Sequence, residues 1–346
     1  MIEAFRKEHP EVFLLPGQSL ETIDAYVRSR GWIDAADTVC AIAPAGEGNM
    51  NYTLRVTTNM RSMILKQSVP WVAKYPDIDA PWDRIIREAR FFQIVSAQPS
   101  LARSMPALKD LDVISRIVLL EDVGNGRDGA YVYQGEQLAA ADLQSAVNWL
   151  ATLHNTKFNH ECRSALTNRD MRALNHAHIF RIPLQTENPV DLDTITPGLQ
   201  AVADKLKANT DFVAAVHNVG EALYLQDGPT LIHGDFFPGS WLITDSGLKV
   251  IDPEFSFFGF PEFDVGVLIA HLLLSRQSED RIEQVLHTYR QPDGFSLFAC
   301  KQIVGVEIVR RLIGVAQLPV PYALNTKIQL LSMATGLVLE PDKQSI

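Results

Sequence analysis

Two short stretches of this chain carry residues able to do acid–base and metal chemistry. The first is Leu231-Ile232-His233-Gly234-Asp235-Phe236-Phe237-Pro238-Gly239-Ser240, and the second is Val250-Ile251-Asp252-Pro253-Glu254-Phe255. Asp235 follows an apolar run that reads as a strand, so it is expected in the loop leaving that strand. A carboxylate there can accept a proton from an attacking hydroxyl, or orient it. Asp252 and Glu254, two apart on a chain expected to be extended, should project from the same side. Two oxygen ligands on one face suit Mg²⁺, which takes few protein carboxylates and completes its octahedron with water and phosphate oxygens. The alternative reading of any one of these acids is a surface carboxylate beside a turn. Against it stands their position next to apolar runs such as Leu248–Ile251, where desolvation is costly unless a cation or hydrogen bonds compensate. His233 reads as a structural hydrogen-bonding residue rather than a proton shuttle.

A second group lies earlier in the chain. Gly46-Glu47-Gly48-Asn49-Met50-Asn51 lets backbone N–H groups approach phosphates closely, because glycine lacks a Cβ and visits positive φ. A lone Gly-x-Gly is also an ordinary turn. What raises the phosphate reading is Lys66, a charge inside the apolar run Met63-Ile64-Leu65-Lys66-Gln67, because an isolated buried ammonium is expensive. Glu88, near the apolar side of an Arg-rich amphipathic segment, could supply its counter-charge; alternatively Lys66 snorkels to solvent and Glu88 pairs with a neighbouring Arg. Late in the chain, Arg310 and Arg311 interrupt the apolar stripe Val304, Ile308, Leu312 and Val315. Adjacent helical residues diverge by ~100°, so the two guanidinia need not share one role. A surface ion pair is the competing reading.

These residues must be positioned by elements that the patterning also reveals. Ser19 and Gly31 bracket a helix over Leu20–Arg30. Tyr52–Val56 and Met63–Gln67 read as strands, Trp82–Ser96 as an amphipathic helix with Arg84, Arg87 and Arg90 off its apolar face, and Ile114–Leu120 as a buried strand. Glu121–Gly126 reads as a connector. Beyond it the character is helical over Ala139–His154, Pro197–Gln226, Phe263–Leu274 and Phe298–Gln317. One exception is the strand–loop–strand–turn–strand pattern of Leu231–Phe255, with Asp245-Ser246-Gly247 as the hairpin turn. The division is a β-rich N-terminal nucleotide-binding lobe over residues 1–120 and a larger α-rich catalytic and substrate-binding lobe over 121–346, with any ligand expected in a crevice between them.

Composition narrows the function classes. The chain has 346 residues, 47% of them hydrophobic, with 31 Lys+Arg against 41 Asp+Glu for a formal net charge of −10. That balance disfavours nucleic acid and acidic membrane surfaces, so an anionic ligand must be held by local dipoles, a few placed cations and metal. Three separated cysteines fit neither a disulfide framework nor a zinc cluster. The N-terminus lacks the apolar core of a signal peptide, and the longest apolar stretch, Val265–Leu274, is broken by His271. A soluble cytoplasmic protein is expected.

The motifs resemble those of the protein-kinase-like small-molecule kinases, which include aminoglycoside and choline kinases. A closer resemblance is to the S-methyl-5-thioribose kinase family, through Gly48-Asn49-Met50-Asn51, Lys66-Gln67, the His233-Gly234-Asp235 loop ending in Gly239-Ser240, Asp252-Pro253-Glu254-Phe255, and Arg310-Arg311 with Gly314. It runs in order from about Gly46 to Gly314. It implies a bilobal α+β fold and ATP-dependent phosphorylation of the anomeric hydroxyl of methylthioribose or a close 5-substituted ribose. By this resemblance Asp235 is the catalytic residue, and Asp252 and Glu254 hold Mg²⁺. Lys66, fixed by Glu88, anchors the α/β-phosphates, which the loop of Gly46, Gly48, Asn49 and Asn51 covers. The connector, through Glu121 and Val123, meets adenine, while Arg310 and Arg311 join Asp235 on the sugar. It also implies a homodimer. Other readings are an aminoglycoside, choline or homoserine phosphotransferase of the same fold, and a non-catalytic nucleotide-binding module. Three departures stand out. The chain is shorter than typical members, Phe236-Phe237-Pro238 replaces the usual Leu-His-Thr, and Ser240 stands where protein kinases carry a metal-binding Asn. That last change passes the duty to Glu254.

Overall fold

Alternation along the strand Ser62–Gln67 organises the N-terminal unit. In this computed structural model, which describes residues 2–46, 48, 50–187, 190–318 and 320–346, the chain divides into compact units Met1–Asn125 and Gly126–Ile346. The first holds a five-stranded antiparallel sheet in the order Val39–Pro44, Tyr52–Thr58, Ser62–Gln67, Ile117–Glu121, Leu108–Asp112. Leu65 turns to a buried cluster with Val56, Ile117 and Leu119, covered by Ile23 and Val27 of the helix Leu20–Ser29. Lys66, one residue on, therefore faces the other way. The helix Leu20–Ser29 starts at Ser19, whose Oγ accepts from the Thr22 amide, and Gly31 follows it at φ +69°.

The second unit is mainly helical. Its longer helices are Ala140–Asn155, Glu262–Leu274, Leu297–Ile313 and Leu324–Leu339. A small sheet of Gly247–Val250, Trp241–Thr244 and Arg127–Asp128, and the antiparallel pair Phe257–Gly259 with Thr230–Ile232, frame the residues between Ile232 and Trp241. No described helix is long and apolar enough to cross a membrane.

The mixed α+β fold class agrees with the sequence reading, and several boundaries do not. Pro197–Gln226 is two main helices, Leu199–Lys207 and Thr210–Val219, because Asn209 caps the second through its Oδ1 and the Phe212 amide. Phe298–Gln317 ends at Ile313 with Gly314 extended, so Val315 lies off the helix and outside the supposed stripe. The helix Leu324–Leu339 escaped periodicity because apolar residues ring it, with Ile328 and Met333 exposed and Leu331 and Leu337 buried.

Candidate functional site

In the N-terminal unit the Lys66 ammonium lies 2.8 Å from both carboxylate oxygens of Glu88. Glu88 comes from the helix Arg84–Ser96, and both partners are buried. The snorkelling alternative is therefore excluded. A buried ion pair is strongly destabilised when one partner is removed, so the strand and the helix are held in register by charge as well as by packing.

The turn that precedes these elements is held differently from expectation. Gly46 has φ +86°, a conformation that favours glycine, while Gly48 leaves ordinary space for a Cβ. Glu47 and Asn49 lie outside the described residues. Asn51 was expected to face phosphate; instead it is buried and its Oδ1 accepts from Arg84 Nε at 2.9 Å. Arg84 itself is a correction, because the periodicity placed it off the apolar face whereas it is wholly buried. Its guanidinium also donates to the carbonyls of Met50 (2.6 Å), Val69 (2.6 Å), Trp71 (3.1 Å) and Pro81 (3.0 Å). Five donors in a planar fork suit this set of carbonyls, and an ammonium could not reproduce it. Arg84→Ala is expected to destabilise the protein by about 3–5 kcal/mol through the loss of the guanidinium's hydrogen bonds at a buried position, and Arg84→Lys to restore little of it. Urea unfolding of the three proteins checks this, and a loss below about 1 kcal/mol for the Ala variant would refute it.

Glu121 also departs from its expected use. Its amide donates to the Ala107 carbonyl and its carboxylate accepts from the Ala107 amide at 3.0 Å, so it closes the strand pair. The Val123 amide has no protein partner among the described residues, and the connector beside it is pinned by Arg55, which donates to Asp122 at 3.0 Å and to the Gly124 carbonyl at 2.9 Å.

In the C-terminal unit, Asp235 occupies the loop that leaves the strand Thr230–Ile232. Asp264, at the start of the helix Glu262–Leu274, receives the amides of His233 (2.6 Å) and Gly234 (2.9 Å) and His154 Nε2 (3.2 Å). Gly234 has φ +85° and lies so close to Phe255 that a Cβ would come within 2.2 Å of its carbonyl oxygen. His233 Nε2 donates to the Ile251 carbonyl at 3.0 Å, and burial lowers its pKa, so it is a structural hydrogen-bonding link as its context suggested. Ser240 Oγ donates to the Asp235 carbonyl at 2.7 Å. The hydroxyl proton is thus committed to shaping the loop. Phe236 stacks on Trp149 with ring centroids 5.7 Å apart, and Phe237 lies over His271 at 4.5 Å. The divergent Phe-Phe pair is therefore an anchor and a lid for neighbouring side chains.

Asp252 and Glu254 are not on extended chain. Asp252 is in the left-handed region (φ 60°, ψ 50°) and Pro253–Phe255 forms a 3₁₀ turn, so alternation does not place the two carboxylates on one side. Proline at the turn's first position, with its fixed φ, drives this winding. Asn168 holds the turn by donating to the carbonyls of Glu254 (2.8 Å) and Ser256 (3.0 Å). Asp252 is half-buried and Glu254 is buried. Their oxygen donors suit a hard cation with few protein ligands, and no group of three or more His, Cys, Asp or Glu side chains able to form an all-protein cage occurs among the described residues.

Arg310 and Arg311 share one destination, against the expectation that adjacent helical residues diverge. Glu307, three and four residues earlier, accepts from Arg310 NH1 (3.2 Å) and Arg311 Nε (2.6 Å). Both guanidinia then reach Asp235 Oδ1, at 3.6 Å for Arg310 and 3.3 Å for Arg311. The surface-pair reading fails, since Arg310 and Arg311 are 5% and 7% exposed and Glu307 1%. Burial alone would raise the Glu307 carboxyl's pKa, but Arg310 and Arg311 outweigh it and hold the group well below the ordinary carboxylate range. Glu307, Asp264, Asn168 and Arg84 were not singled out from sequence. The readable signal was a lone acid at i−3 and i−4 from the Arg pair, and an acid opening the apolar run Val265–Leu274.

Residues 41–298 match the model of the phosphotransferase enzyme family (APH). Methylthioribose kinase of Bacillus velezensis is 28% identical over 269 residues, which cover 72% of this chain and 66% of that protein. The aligned part thus spans just under two thirds of that relative's length. Among solved structures, spectinomycin phosphotransferase in complex with ADP and spectinomycin superposes with a TM-score of 0.57 at 11% identity, over 95% of this chain and 100% of the other. Choline kinase of Streptococcus pneumoniae gives a TM-score of 0.51 at 12% identity, over 92% and 98%. At such identities these likenesses concern the fold.

Proposed function

We propose that this chain, which belongs to the phosphotransferase enzyme family, transfers the γ-phosphoryl group of ATP to the anomeric hydroxyl of S-methyl-5-thioribose or a close 5-substituted ribose. The observation that carries the substrate class is the pair of buried guanidinia on Asp235 Oδ1. Two fixed cations beside the acceptor-binding carboxylate oppose an ammonium-bearing acceptor and favour a neutral polyol, whose hydroxyls accept from guanidinium and donate to carboxylate. The similarity to methylthioribose kinase supports the choice within that class.

The roles follow from the chemistry of each residue. Asp235 receives the acceptor hydroxyl in hydrogen-bond reach and takes its proton as the O–P bond forms. Arg311 and Arg310 orient the sugar and offset charge on the transferring group. Lys66, made rigid by Glu88, binds the α/β-phosphates, and the Gly46 and Gly48 backbone is available to them. The Val123 amide is available to adenine. Asp252 and Glu254 would hold Mg²⁺. When bound, this ion neutralises phosphate oxygens and fixes their orientation. Catalysis in this reading is positioning plus charge neutralisation.

An ATP-consumption screen over methylthioribose, 5-deoxyribose, ribose, choline, homoserine and aminoglycosides tests the proposal. Turnover is expected with methylthioribose, weaker turnover with the other sugars and none with the amines. Turnover of an amine without a methylthioribose signal would overturn it, as would nucleotide binding with no transfer to any acceptor.

A further inference from the structure

Behind the Arg pair runs a buried chain of polar side chains that the proposed reaction does not itself require. Glu307 Oε1 meets His271 Nε2 at 3.1 Å, and His271 Nδ1 meets the Tyr133 hydroxyl at 2.5 Å. All three side chains are buried. They come from three separate elements: Tyr133 from the turn Gly129–Gln134, His271 from the helix Glu262–Leu274 and Glu307 from the helix Leu297–Ile313. Glu307 is ionised between two guanidinia and can only accept, so His271 must carry its proton on Nε2. Nδ1 is then an acceptor and Tyr133 donates to it. Burial pushes the His271 imidazole down to about 4, in keeping with a neutral ring.

The chain also has a second arm. Arg310 NH2 donates to Asn175 Oδ1 at 3.3 Å, and Asn175 Nδ2 donates to the buried Tyr224 hydroxyl at 2.8 Å. Phe237, in the Asp235 loop, lies over His271 and has the Arg311 guanidinium 5.0 Å from its ring centroid. Glu307 and Asn175, which accept from the two guanidinia, are thus each held in turn by a buried partner. The charges of Asp235, Glu307, Arg310 and Arg311 sum to zero, so the cluster can stay desolvated without importing a counter-ion.

We propose that Glu307 is a positioning residue for phosphoryl transfer, fixing Arg310 and Arg311 on Asp235, and that His271 and Tyr133 lock the Glu307 carboxylate through a one-directional hydrogen-bond chain from Tyr133 to Glu307. This rests on the kinase reading of Asp235 for its kinetic consequence but not for its geometry. Removing Glu307's charge leaves both arginines free to collapse onto Asp235 or swing away, and either displaces the acceptor hydroxyl from its near-attack position.

Two variants and one spectrum test it. Glu307→Gln keeps the shape and is expected to lower kcat on the order of a hundredfold with the ATP KM nearly unchanged. Tyr133→Phe removes only the terminal donor and is expected to lower kcat by about threefold to tenfold, again sparing the ATP KM. A fall confined to kcat and the acceptor KM supports positioning. A Glu307→Gln protein that folds and turns over within about twofold of the parent overturns the proposal, as does a parallel loss of ATP binding. If Glu307→Gln does not fold, Tyr133→Phe decides alone, and parental kcat in it refutes the chain. Nitrogen-15 NMR of the unsubstituted protein at neutral pH should show His271 neutral with the proton on Nε2. The Nδ1–H tautomer or an imidazolium would refute the directed chain. That spectrum needs no acceptor, so failure of the methylthioribose reading and failure of the network are separable.

Discussion

Asp235→Asn is expected to lower kcat by on the order of a thousandfold or more while ATP affinity stays within about threefold. The substitution is nearly isosteric and leaves the loop's supports intact, because those supports act on the backbone: the Asp264 carboxylate on the amides of His233 and Gly234, and Ser240 Oγ on the Asp235 carbonyl. What it removes is the negative charge that Arg310 and Arg311 both approach and a carboxylate oxygen able to accept the hydroxyl proton. The amide cannot take the hydroxyl proton, and it brings no charge to offset the two guanidinia. Since Lys66 and Glu88 are untouched, nucleotide binding is expected to persist. Steady-state kinetics paired with nucleotide titration measures both quantities. Turnover within tenfold of the parent would remove Asp235 from the role assigned to it.

Asp252→Asn is expected to cost on the order of a hundredfold or more in kcat/KM at moderate Mg²⁺ and to move half-saturation by Mg²⁺ to higher concentration, since a lost carboxylate forfeits several kcal/mol of charge stabilisation. Asparagine is the informative choice here. Asp252 has φ 60°, a region that Asn visits with little penalty whereas Ala is strained by about 1–2 kcal/mol. The turn should therefore survive, and the loss can be attributed to charge. Asp252→Ala adds a backbone cost visible as reduced thermal stability. A Mg²⁺ titration curve that superposes on the parent's would dissociate Asp252 from the cation.

Much of this site was legible because buried charge is expensive wherever it occurs. A lysine inside Met63–Gln67 had to find a counter-charge, and Glu88 was the acid on the nearest apolar helix face; the 2.8 Å pair follows from that economy. Asp235 in a loop after an apolar run was likewise readable, and the strand Thr230–Ile232 does end before it, with Gly234 at φ +85° in the loop. Helical patterning worked where one face is polar, as in Leu20–Ser29, and failed for Leu324–Leu339, whose apolar residues point both inward and outward.

Other features depended on contacts between distant segments. Arg84 reads as a solvated arginine from its neighbours, yet it is buried because the carbonyls of Met50, Val69 and Trp71 converge on it. Asp252 and Glu254 read as strand neighbours, and the proline between them wound the chain into a turn that Asn168, more than eighty positions earlier, holds by hydrogen bonds to the Glu254 and Ser256 carbonyls. Helical geometry says that Arg310 and Arg311 point ~100° apart; long flexible stems and a shared acid at Glu307 bring both guanidinia to one oxygen.

The amino-acid sequence by itself determined which residue types were available for phosphoryl transfer, their order along the chain and the elements that carry most of them, because these depend on local spacing and on the cost of placing charge beside apolar residues. Only the tertiary structure decided their partners. Whether Asn51 faces a ligand or Arg84, whether the Arg pair lies at the surface or on Asp235, and whether His271 is an interruption in an apolar run or a link to Tyr133, all turn on residues remote in sequence whose proximity is created by packing, and pairwise geometry of that kind leaves no period or motif in the chain.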